Sequence, residues 1–305
     1  RLRAPLPVQW VTGKLDLFHS PDFVLPPVAG GIPTLLTVHD ISFVHFPDTF
    51  PDVLVRYLNR VVPWSIQRAT HVLADSVATR QDLIDVWQVP PEKITVLYCG
   101  VAAAYRPISD EARLTAVRQR YQLGPQPFVL SLGTVQPRKN YGLLIRAFAD
   151  IANDVPHQLY IAGGTGWLAD EMMTEIARRG LADRVRFLGF VDDADLPALY
   201  SAADLFAFPS LYEGFGLPPL EAMACGTAVL LSNVSSLPEV AGPEEAARLL
   251  SPHDQSAWSR ALRTLLTDPE ARRLLAQNGR RRSRAFSWQR SAAQLASIYR
   301  DLLPN

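Results

Sequence analysis

Residues 213–221 read Glu213-Gly214-Phe215-Gly216-Leu217-Pro218-Pro219-Leu220-Glu221 and follow shortly after the apolar run Phe206–Phe208. The apolar run predicts a buried strand, and the prolines suit the first turn of a helix, where a missing N–H costs nothing. Gly214 and Gly216 let the backbone adopt a positive φ and approach a ligand closely. The stretch therefore predicts a strand, a glycine loop and a helix over Leu220–Ala224 whose first turn contains Pro218 or Pro219.

The glycine loop has the chemistry of a site for a ligand that carries both phosphates and hydroxyls. The N–H groups around Gly216 and Leu217 and the positive end of the helix would converge on one anion. Glu213 and Glu221 would repel phosphate alone, but carboxylates accept hydrogen bonds from hydroxyls. A nucleotide-sugar has both kinds of group. We therefore expect the two glutamates and the loop from Gly214 through Phe215 to Leu217 to bind one.

This stretch resembles the glutamate-seven-glutamate motif of the retaining glycosyltransferases of family four, which have the GT-B fold. Residues 37–40 (Thr-Val-His-Asp), 133–140 (Gly-Thr-Val-Gln-Pro-Arg-Lys-Asn) and 188–191 (Leu-Gly-Phe-Val) resemble further segments of that family. The resemblance implies an α/β fold of two Rossmann-like domains with parallel sheets. It also implies glycosyl transfer with retention of configuration and without a metal. By the same resemblance, Glu213 contacts the donor sugar and Glu221 holds the ribose hydroxyls.

A second loop is expected to hold the diphosphate. Arg138 and Lys139 follow a predicted strand that ends near Gly133, and such strand-to-helix loops lie at the carboxyl edge of a sheet, where ligands bind. Two cations there could neutralise a departing diphosphate. Many relatives carry an arginine directly after the glycine, whereas this chain has Thr134. The positive charge is therefore expected from Arg138 and Lys139.

The resemblance assigns three more residues. His39 is expected to line the donor-sugar pocket from the N-terminal domain, although a lone histidine at a strand end is more often a structural hydrogen-bonding group. Phe190 and Val191 are expected to face the nucleobase through backbone groups and apolar surface. Their types do not specify a base, so GDP and UDP both remain open.

Strand-like and helix-like segments alternate along the chain, which is typical of parallel sheets covered by helices. We expect an acceptor-side domain over residues 1–108 together with a C-terminal helix, 288–305, and a nucleotide-sugar-binding domain over 109–287. The opening strands of the first domain are expected to be missing, as in a fragment, a split gene product or an engineered truncation. The sheet edge left open would favour self-association or a partner that completes the sheet.

Individual strands and helices can also be predicted from the periodicity. The predicted strands are Leu15–His19, Thr34–Val38, His71–Ala74, Ile94–Leu97, Phe128–Leu132, Gln158–Ile161, Arg184–Phe187, Leu205–Phe208 and Ala228–Leu231. The predicted helices are Pro51–Ala69, Ser76–Val86, Glu111–Tyr121, Tyr141–Ile151, Leu168–Gly180, Ala194–Ala203, Leu220–Ala224, Trp258–Thr267 and Ser287–Leu303, with a further short helix that starts at the capping-box pattern of Ser236 and Glu239.

Composition narrows the class of protein. Thirty basic and thirty acidic residues cancel, so overall charge gives no indication of nucleic-acid binding. Cys99 and Cys225 are too few for a disulfide framework or a zinc site, which favours a reducing cytoplasm. We expect no signal peptide, and the sequence contains no apolar run of about 18 residues that would span a membrane. The cluster Arg280–Arg284 predicts a solvated helix end; an alternative is a patch for the inner membrane surface.

Two patterns favour other functions. Residues 164–169 fit the G-x-G-x-x-A dinucleotide pattern, which is typical of an NAD(P)-dependent oxidoreductase, but they follow the second strand of their domain rather than the first. Asp193-Ala194-Asp195 resembles the metal-binding triplet of other glycosyltransferases. Because it precedes a helix, we expect the aspartates to cap that helix and predict no metal and no cofactor beyond the donor.

The resulting hypothesis is transfer of a hexose from a nucleoside-diphosphate sugar to a glycan or lipid-linked acceptor. The loop at 133–140 resembles that of bacterial mannosyl- and rhamnosyltransferases, which favours GDP-mannose and leaves UDP-glucose open. An alternative is a remnant that binds nucleotide-sugar without turnover. The expected location is the cytoplasm, with peripheral contact at the inner membrane face as a further expectation.

Overall fold

The structure is a computed structural model that describes residues 6–164, 169–243 and 245–303. The chain divides into two compact units, residues 1–100 with 287–305 and residues 101–286. The first unit ends at Gly100 rather than at 108, because residues 101–108 pack on the second unit. There the Ile108 N–H donates to the Ser201 hydroxyl over 3.0 Å, and the rings of Tyr105 and Tyr200 lie 6.1 Å apart.

The strands follow the buried apolar runs of the sequence. Four of them have the bounds predicted from sequence, because runs of consecutive buried residues leave little choice of ends. The first strand begins at Phe18 instead of Leu15, and the last, a half-exposed strand, was not predicted. The strands are Phe18–Ser20 (β1), Thr34–Val38 (β2), His71–Ala74 (β3), Ile94–Val96 (β4), Phe128–Leu132 (β5), Gln158–Ala162 (β6), Val185–Gly189 (β7), Leu205–Phe208 (β8), Ala228–Ser232 (β9) and Arg248–Leu250 (β10).

The helices alternate with these strands. Two short N-terminal helices and the arginine-rich helix before the last one were not predicted. In the described part of the chain, no helix is long and apolar enough to cross a membrane. The helices are Gln9–Thr12 (α1), Ser42–His45 (α2), Asp52–Arg68 (α3), Val77–Trp87 (α4), Glu111–Arg120 (α5), Tyr141–Ala149 (α6), Ala169–Arg178 (α7), Leu196–Ala202 (α8), Leu217–Ala224 (α9), Leu237–Ala241 (α10), Gln255–Thr267 (α11), Pro269–Ser283 (α12) and Trp288–Leu302 (α13).

The first unit is built on a parallel sheet with strand order β1-β2-β3-β4. The C-terminal helix α13 belongs to this unit and is fixed to it by side chains. Ser291 donates to the Tyr98 carbonyl over 2.6 Å, and Gln294 donates to the Val96 carbonyl over 2.9 Å. The Tyr299 hydroxyl lies 2.7 Å from Nδ1 of His19, which is therefore occupied by a structural contact.

A glycine allows the close approach of α13. A Cβ added at Gly100 would lie 2.1 Å from the backbone N of Trp288, so Gly100→Ala must displace the start of the helix. We expect this variant to lose about 1–3 kcal/mol of unfolding free energy, the usual cost of overpacking, in denaturant titrations followed by tryptophan fluorescence. Gly142→Ala is the control, because its added Cβ meets only the flexible end of Arg146, 3.2 Å away. Equal stability of the two variants would contradict the prediction.

The second unit is a parallel sheet with strand order β10-β9-β8-β5-β6-β7. Strands β5 and β8 are neighbours, and the strand order runs outward from them in opposite directions. Ligands of open parallel sheets bind at such a topological switch point, outside the carboxyl ends of the strands. The loops after β5 and β8 therefore meet at the place where the fold favours a binding site.

Candidate active site

The loop after β5 presents two cations. It forms a 3-10 turn over Pro137–Lys139 and ends at Asn140, whose φ of 54° is left-handed. The Asn140 amide donates to the carbonyls of Pro209 (3.2 Å) and Pro252 (2.9 Å), which fixes the end of the turn against neighbouring loops. Since the turn is fixed at its end, the side chains of Arg138 and Lys139 have defined positions at the switch point.

Both cations meet Glu213 from the loop after β8. Nζ of Lys139 lies 2.6 Å from Oε1 of Glu213, and Nη1 of Arg138 lies 3.1 Å from Oε2. We call these three residues the ionic triad. Each of their side chains is only 11% exposed. Two cations share one carboxylate, so the triad has a net charge of +1 in a largely buried position.

The environment of Glu213 keeps it ionised. Burial alone would raise the pKa of this carboxyl, but the charges of Lys139 and Arg138 and the hydrogen bonds from Lys139 and Ser210 outweigh it. The net result is a pKa below the ordinary value. All three were predicted site residues, but the pairing of both cations with the glutamate was not predicted.

The glycine loop after Glu213 is shaped by two serines. The Glu213 N–H donates to the Ser235 hydroxyl over 2.9 Å, and the Ser236 hydroxyl lies within hydrogen-bond distance of the carbonyls of Glu213 (2.9 Å) and Phe215 (2.7 Å). The short helix α10 forms as predicted, but the predicted capping box is wrong. The Ser236 hydroxyl makes no hydrogen bond to the start of the helix and instead donates to the glycine loop.

The end of the loop leaves donors available. Helix α9 begins at Leu217, and the next two residues are prolines without an N–H. Within the described residues, the N–H groups of Gly216 and Leu217 donate to no hydrogen-bond acceptor. These two groups therefore retain the capacity to bind an anion at the positive end of the helix.

Gly216 cannot be replaced without moving the loop. Its φ is 113°, and an added Cβ would lie 2.9 Å from Cδ2 of Leu237. We expect Gly216→Ala to lose more than the roughly 1–2 kcal/mol that left-handed backbone costs an L-residue, and to weaken nucleotide binding. Gly180→Ala is the matched control, since Gly180 has a φ of 67° with nothing within 4 Å. Thermal melting and nucleotide titration measure the two variants. Equal melting temperatures and equal nucleotide affinities would contradict the prediction.

The second glutamate, Glu221, lies on α9 and contacts two phenols. The Tyr200 hydroxyl donates to its Oε2 over 3.0 Å, and the Tyr105 phenol faces the same carboxyl and influences its pKa. Burial raises the pKa of Glu221; the two phenols lower it, and the charge of Asp193 raises it, with a net upward shift. Neither tyrosine was predicted. The available signal was that a buried phenol needs a hydrogen-bond partner.

The predicted nucleobase-facing residues follow β7 at the same edge of the sheet. Phe190 is 75% exposed, whereas Val191 is 5% exposed. The Val191 side chain is thus part of the core, and only Phe190 offers apolar side-chain surface. Gly133 directly follows the strand β5, and its carbonyl accepts from the Tyr141 hydroxyl over 2.9 Å, which fixes the start of the loop 133–140.

His39 belongs to the first unit, where it directly follows β2. Its Nδ1 lies 2.8 Å from Oδ2 of Asp75, and its ring packs edge-on against Phe23. The hydrogen bond to Asp75 raises the pKa of His39, burial lowers it, and the charges of Asp75 and Asp22 and a hydrogen bond to the Pro21 carbonyl raise it further. The net shift is upward, which favours the imidazolium form.

Asp75→Asn tests this pairing. The variant removes the carboxylate, so burial becomes the dominant influence and the pKa of His39 is expected to fall from above 6.5 to below it. In the wild type the raised pKa contributes stability that is complete below pH 6.5 and lost as the pH rises through the folded value. NMR titration of the imidazole protons, assigned with His39→Gln, measures both proteins. Asp82→Asn, beside His45, should leave the His39 midpoint unchanged.

The structure tests the aspartate triplet at 193–195 but not the dinucleotide pattern at 164–169. Residues 165–168 of the dinucleotide pattern lie outside the described residues. The predicted cap by Asp195 is wrong, because its carboxylate accepts from Arg120 and from the Tyr121 hydroxyl, each over 2.8 Å, and makes no cap bond. In the described ranges, no group of three or more His, Cys, Asp or Glu residues is arranged to hold a metal ion.

Comparison with known proteins identifies the family. The family model described as "Glycosyl transferases group 1" matches residues 115–282, more than half of the chain. This chain belongs to that family. The model described as "Glycosyltransferase Family 4" matches residues 2–105, and the family resemblance stated from the sequence is thereby confirmed. Membership in this family of glycosyltransferases removes the support for an oxidoreductase.

Among curated relatives, the O-antigen chain mannosyltransferase B of Escherichia coli is 36% identical over 289 residues, which cover 94% of this chain and 74% of the relative. The serotype-specific mannosyltransferase WbdA of E. coli is 33% identical over 285 residues. The match covers 90% of this chain but only 34% of WbdA, so the chain spans about a third of that relative.

Solved structures confirm the GT-B fold with its two parallel sheets. Sucrose-phosphate synthase from Thermosynechococcus elongatus superposes with a TM-score of 0.76 at 29% identity, covering 90% of this chain and 68% of that one. Anabaena HepE in complex with UDP and glucose gives a TM-score of 0.74 at 25% identity, covering 88% and 72%.

Proposed function

We propose that this glycosyltransferase moves a hexose, mannose or a similar sugar, from a nucleoside diphosphate to an acceptor hydroxyl in glycan or glycolipid synthesis. The observation that carries the proposal is the ionic triad of Arg138, Lys139 and Glu213. It has a net positive charge, is largely buried, and lies at the switch point, where Glu213 begins the loop that contains the N–H groups of Gly216 and Leu217. A diphosphate supplies the negative charge that this arrangement lacks.

The proposed chemistry is mostly electrostatic. The bond between the anomeric carbon and the phosphate oxygen breaks, and its electron pair stays on the departing phosphate. Arg138, Lys139 and the loop N–H groups stabilise the growing negative charge in a position that excludes most water. Glu213 orients the sugar hydroxyls, Glu221 holds the ribose, and Phe190 covers the base. By the family resemblance alone, His39 is also proposed as a sugar-contacting residue.

We further propose that the configuration is retained by attack from the face of the leaving group. The carboxylate of Glu213 is engaged by two cations at 2.6 and 3.1 Å, which makes it a poor nucleophile for a covalent intermediate. The acceptor hydroxyl would then form the new bond on the same face and pass its proton to the departing phosphate. Arg138 and Lys139 supply the charge that a metal ion supplies elsewhere.

The donor is proposed to be GDP-mannose, because two curated relatives at 36% and 33% identity are named mannosyltransferases. UDP-glucose is the second candidate, since HepE has been solved with UDP-glucose at 25% identity. The acceptor is proposed to be a glycan or a lipid-linked sugar, and the place of action the cytoplasm or the inner membrane face.

Calorimetric titration with GDP, UDP, GDP-mannose and UDP-glucose tests the donor site. We expect one base to bind without added metal, and Glu221→Ala and Lys139→Ala to weaken it. Glu111→Ala and Lys14→Ala, which change exposed residues, are the matched controls. NMR of the transferred anomeric proton then reports retention. Binding without transfer to any acceptor would support the nucleotide-binding remnant, and no binding by the folded chain would overturn the proposal.

A further inference from the structure

The Glu221 carboxylate is held by a phenol with a fixed position. Tyr200 lies on α8 and is fully buried. Its ring packs against Phe206 at 5.4 Å, and its backbone carbonyl accepts from the Thr227 hydroxyl over 2.7 Å. A buried ring with these contacts has little rotamer freedom. Its hydroxyl, 3.0 Å from Oε2 of Glu221, therefore fixes where that oxygen lies.

A second phenol reaches the same carboxylate from the segment 101–108. The Tyr105 ring packs against Tyr200, and the segment is anchored where the Ile108 N–H donates to the Ser201 hydroxyl. Burial, together with the charge of Glu221, raises the pKa of the Tyr105 and Tyr200 hydroxyls. Both phenols therefore keep their protons, and the Tyr200 hydroxyl donates a hydrogen bond to the carboxylate over 3.0 Å.

We propose that Tyr200 and Tyr105 are positioning residues that orient Glu221 toward the two hydroxyls of a ribose, so that the site selects ribonucleotides over deoxyribonucleotides. An ionised carboxylate has about four lone-pair sites. The Tyr200 hydroxyl occupies one of them and Tyr105 faces the same carboxyl, which leaves at least two for the vicinal diol. The inference rests on the proposed nucleotide donor and adds the residues that give the ribose end of that site its selectivity.

The charges around Glu221 make the inference measurable as a pH effect. Besides the two phenols, Asp193 faces it from the loop before α8, and Cys225 lies near it at the end of α9 with a pKa raised to about 12 by burial and by Glu221. Burial and Asp193 raise the pKa of Glu221, and the phenols lower it. Removal of a phenol should therefore move the acid limb of ribonucleotide binding to higher pH, and Asp193→Asn should move it to lower pH.

The experiment is calorimetric titration of the full chain with GDP, UDP and their 2′-deoxy analogues across pH 4 to 8. We expect the wild type to prefer the ribonucleotide by about tenfold, the value of one hydrogen bond to a charged group. Tyr200→Phe and Tyr105→Phe should bring the ratio toward one. Tyr160→Phe is the control, because it removes a buried hydroxyl that binds the Gly124 N–H elsewhere in the same unit.

The possible results separate this inference from the proposed function. A lowered ratio in both site variants, with an unchanged ratio in Tyr160→Phe, supports positioning of Glu221. A wild-type ratio in both folded variants overturns the inference while the donor site stands. If Tyr200→Phe fails to fold, the ratio measured for Tyr105→Phe, which changes a half-buried residue, tests the inference on its own. A wild-type chain that binds no nucleotide overturns the proposed function and this inference with it.

Discussion

Lys139→Met is expected to lower kcat by about 10²–10³-fold, the usual cost of removing one group that stabilises developing negative charge. Nζ of Lys139 lies 2.6 Å from Glu213 and its side chain is 11% exposed, so water cannot replace the lost charge efficiently. The ionic triad would change from a net charge of +1 to zero. Affinity for the nucleoside diphosphate is therefore expected to fall as well, by about 10- to 100-fold.

The measurement is steady-state kinetics with the donor identified by calorimetry, together with nucleotide titration. Lys14→Met is the matched control, since it removes an exposed lysine from the other unit. Fold retention is checked by thermal melting. Methionine keeps most of the apolar stem of the lysine but removes the Nζ cation that lies 4.9 Å from the centroid of the Phe208 ring. A folded variant with wild-type turnover would show that Lys139 does not serve the leaving group.

Much of the fold was predictable because the strands are uninterrupted buried runs. All five residues of β2 and all four of β8 are buried, and both strands had their observed bounds predicted. The edge strand β10 is three residues long and partly exposed, so its apolar signal was too short to detect. Helix α12 was missed because its arginines and other polar residues obscure the apolar periodicity. Within the cluster Arg280–Arg284, which was predicted to be a solvated helix end, Arg282 packs on the Phe286 ring.

The site was predictable as a set of residues but not as a geometry. A motif names Glu213, Arg138 and Lys139, yet which charges pair depends on loops 74 positions apart that meet only because β5 and β8 are neighbours. The phenols near Glu221 were hidden for the same reason, since Tyr105 comes from the irregular segment 101–108, for which no helix or strand was predicted. Periodicity encodes which face is buried, whereas contacts between loops depend on strand order.

Glu213→Gln is expected to separate binding from transfer. The substitution keeps the size of the side chain but leaves Arg138 and Lys139 as two largely buried cations without a counter-charge. Removing one partner of a buried ion pair typically costs about 3–5 kcal/mol, so the melting temperature in phosphate-free buffer should fall. Because the lowered pKa of Glu213 contributes stability above about pH 4.5 that is lost on acidification, the variant should also lack this acid-dependent component.

The same change should strengthen the binding of the product nucleotide. Both cations become available to the diphosphate and the repelling carboxylate is gone, so we expect GDP or UDP to bind about tenfold more tightly and to restore the lost thermal stability. Transfer should nevertheless fall by about 10²-fold, because the sugar hydroxyls lose the group that orients them. Glu111→Gln, at an exposed position, should change none of these quantities. Weaker nucleotide binding by a folded Glu213→Gln would contradict the view that this carboxylate and the diphosphate compete for Arg138 and Lys139.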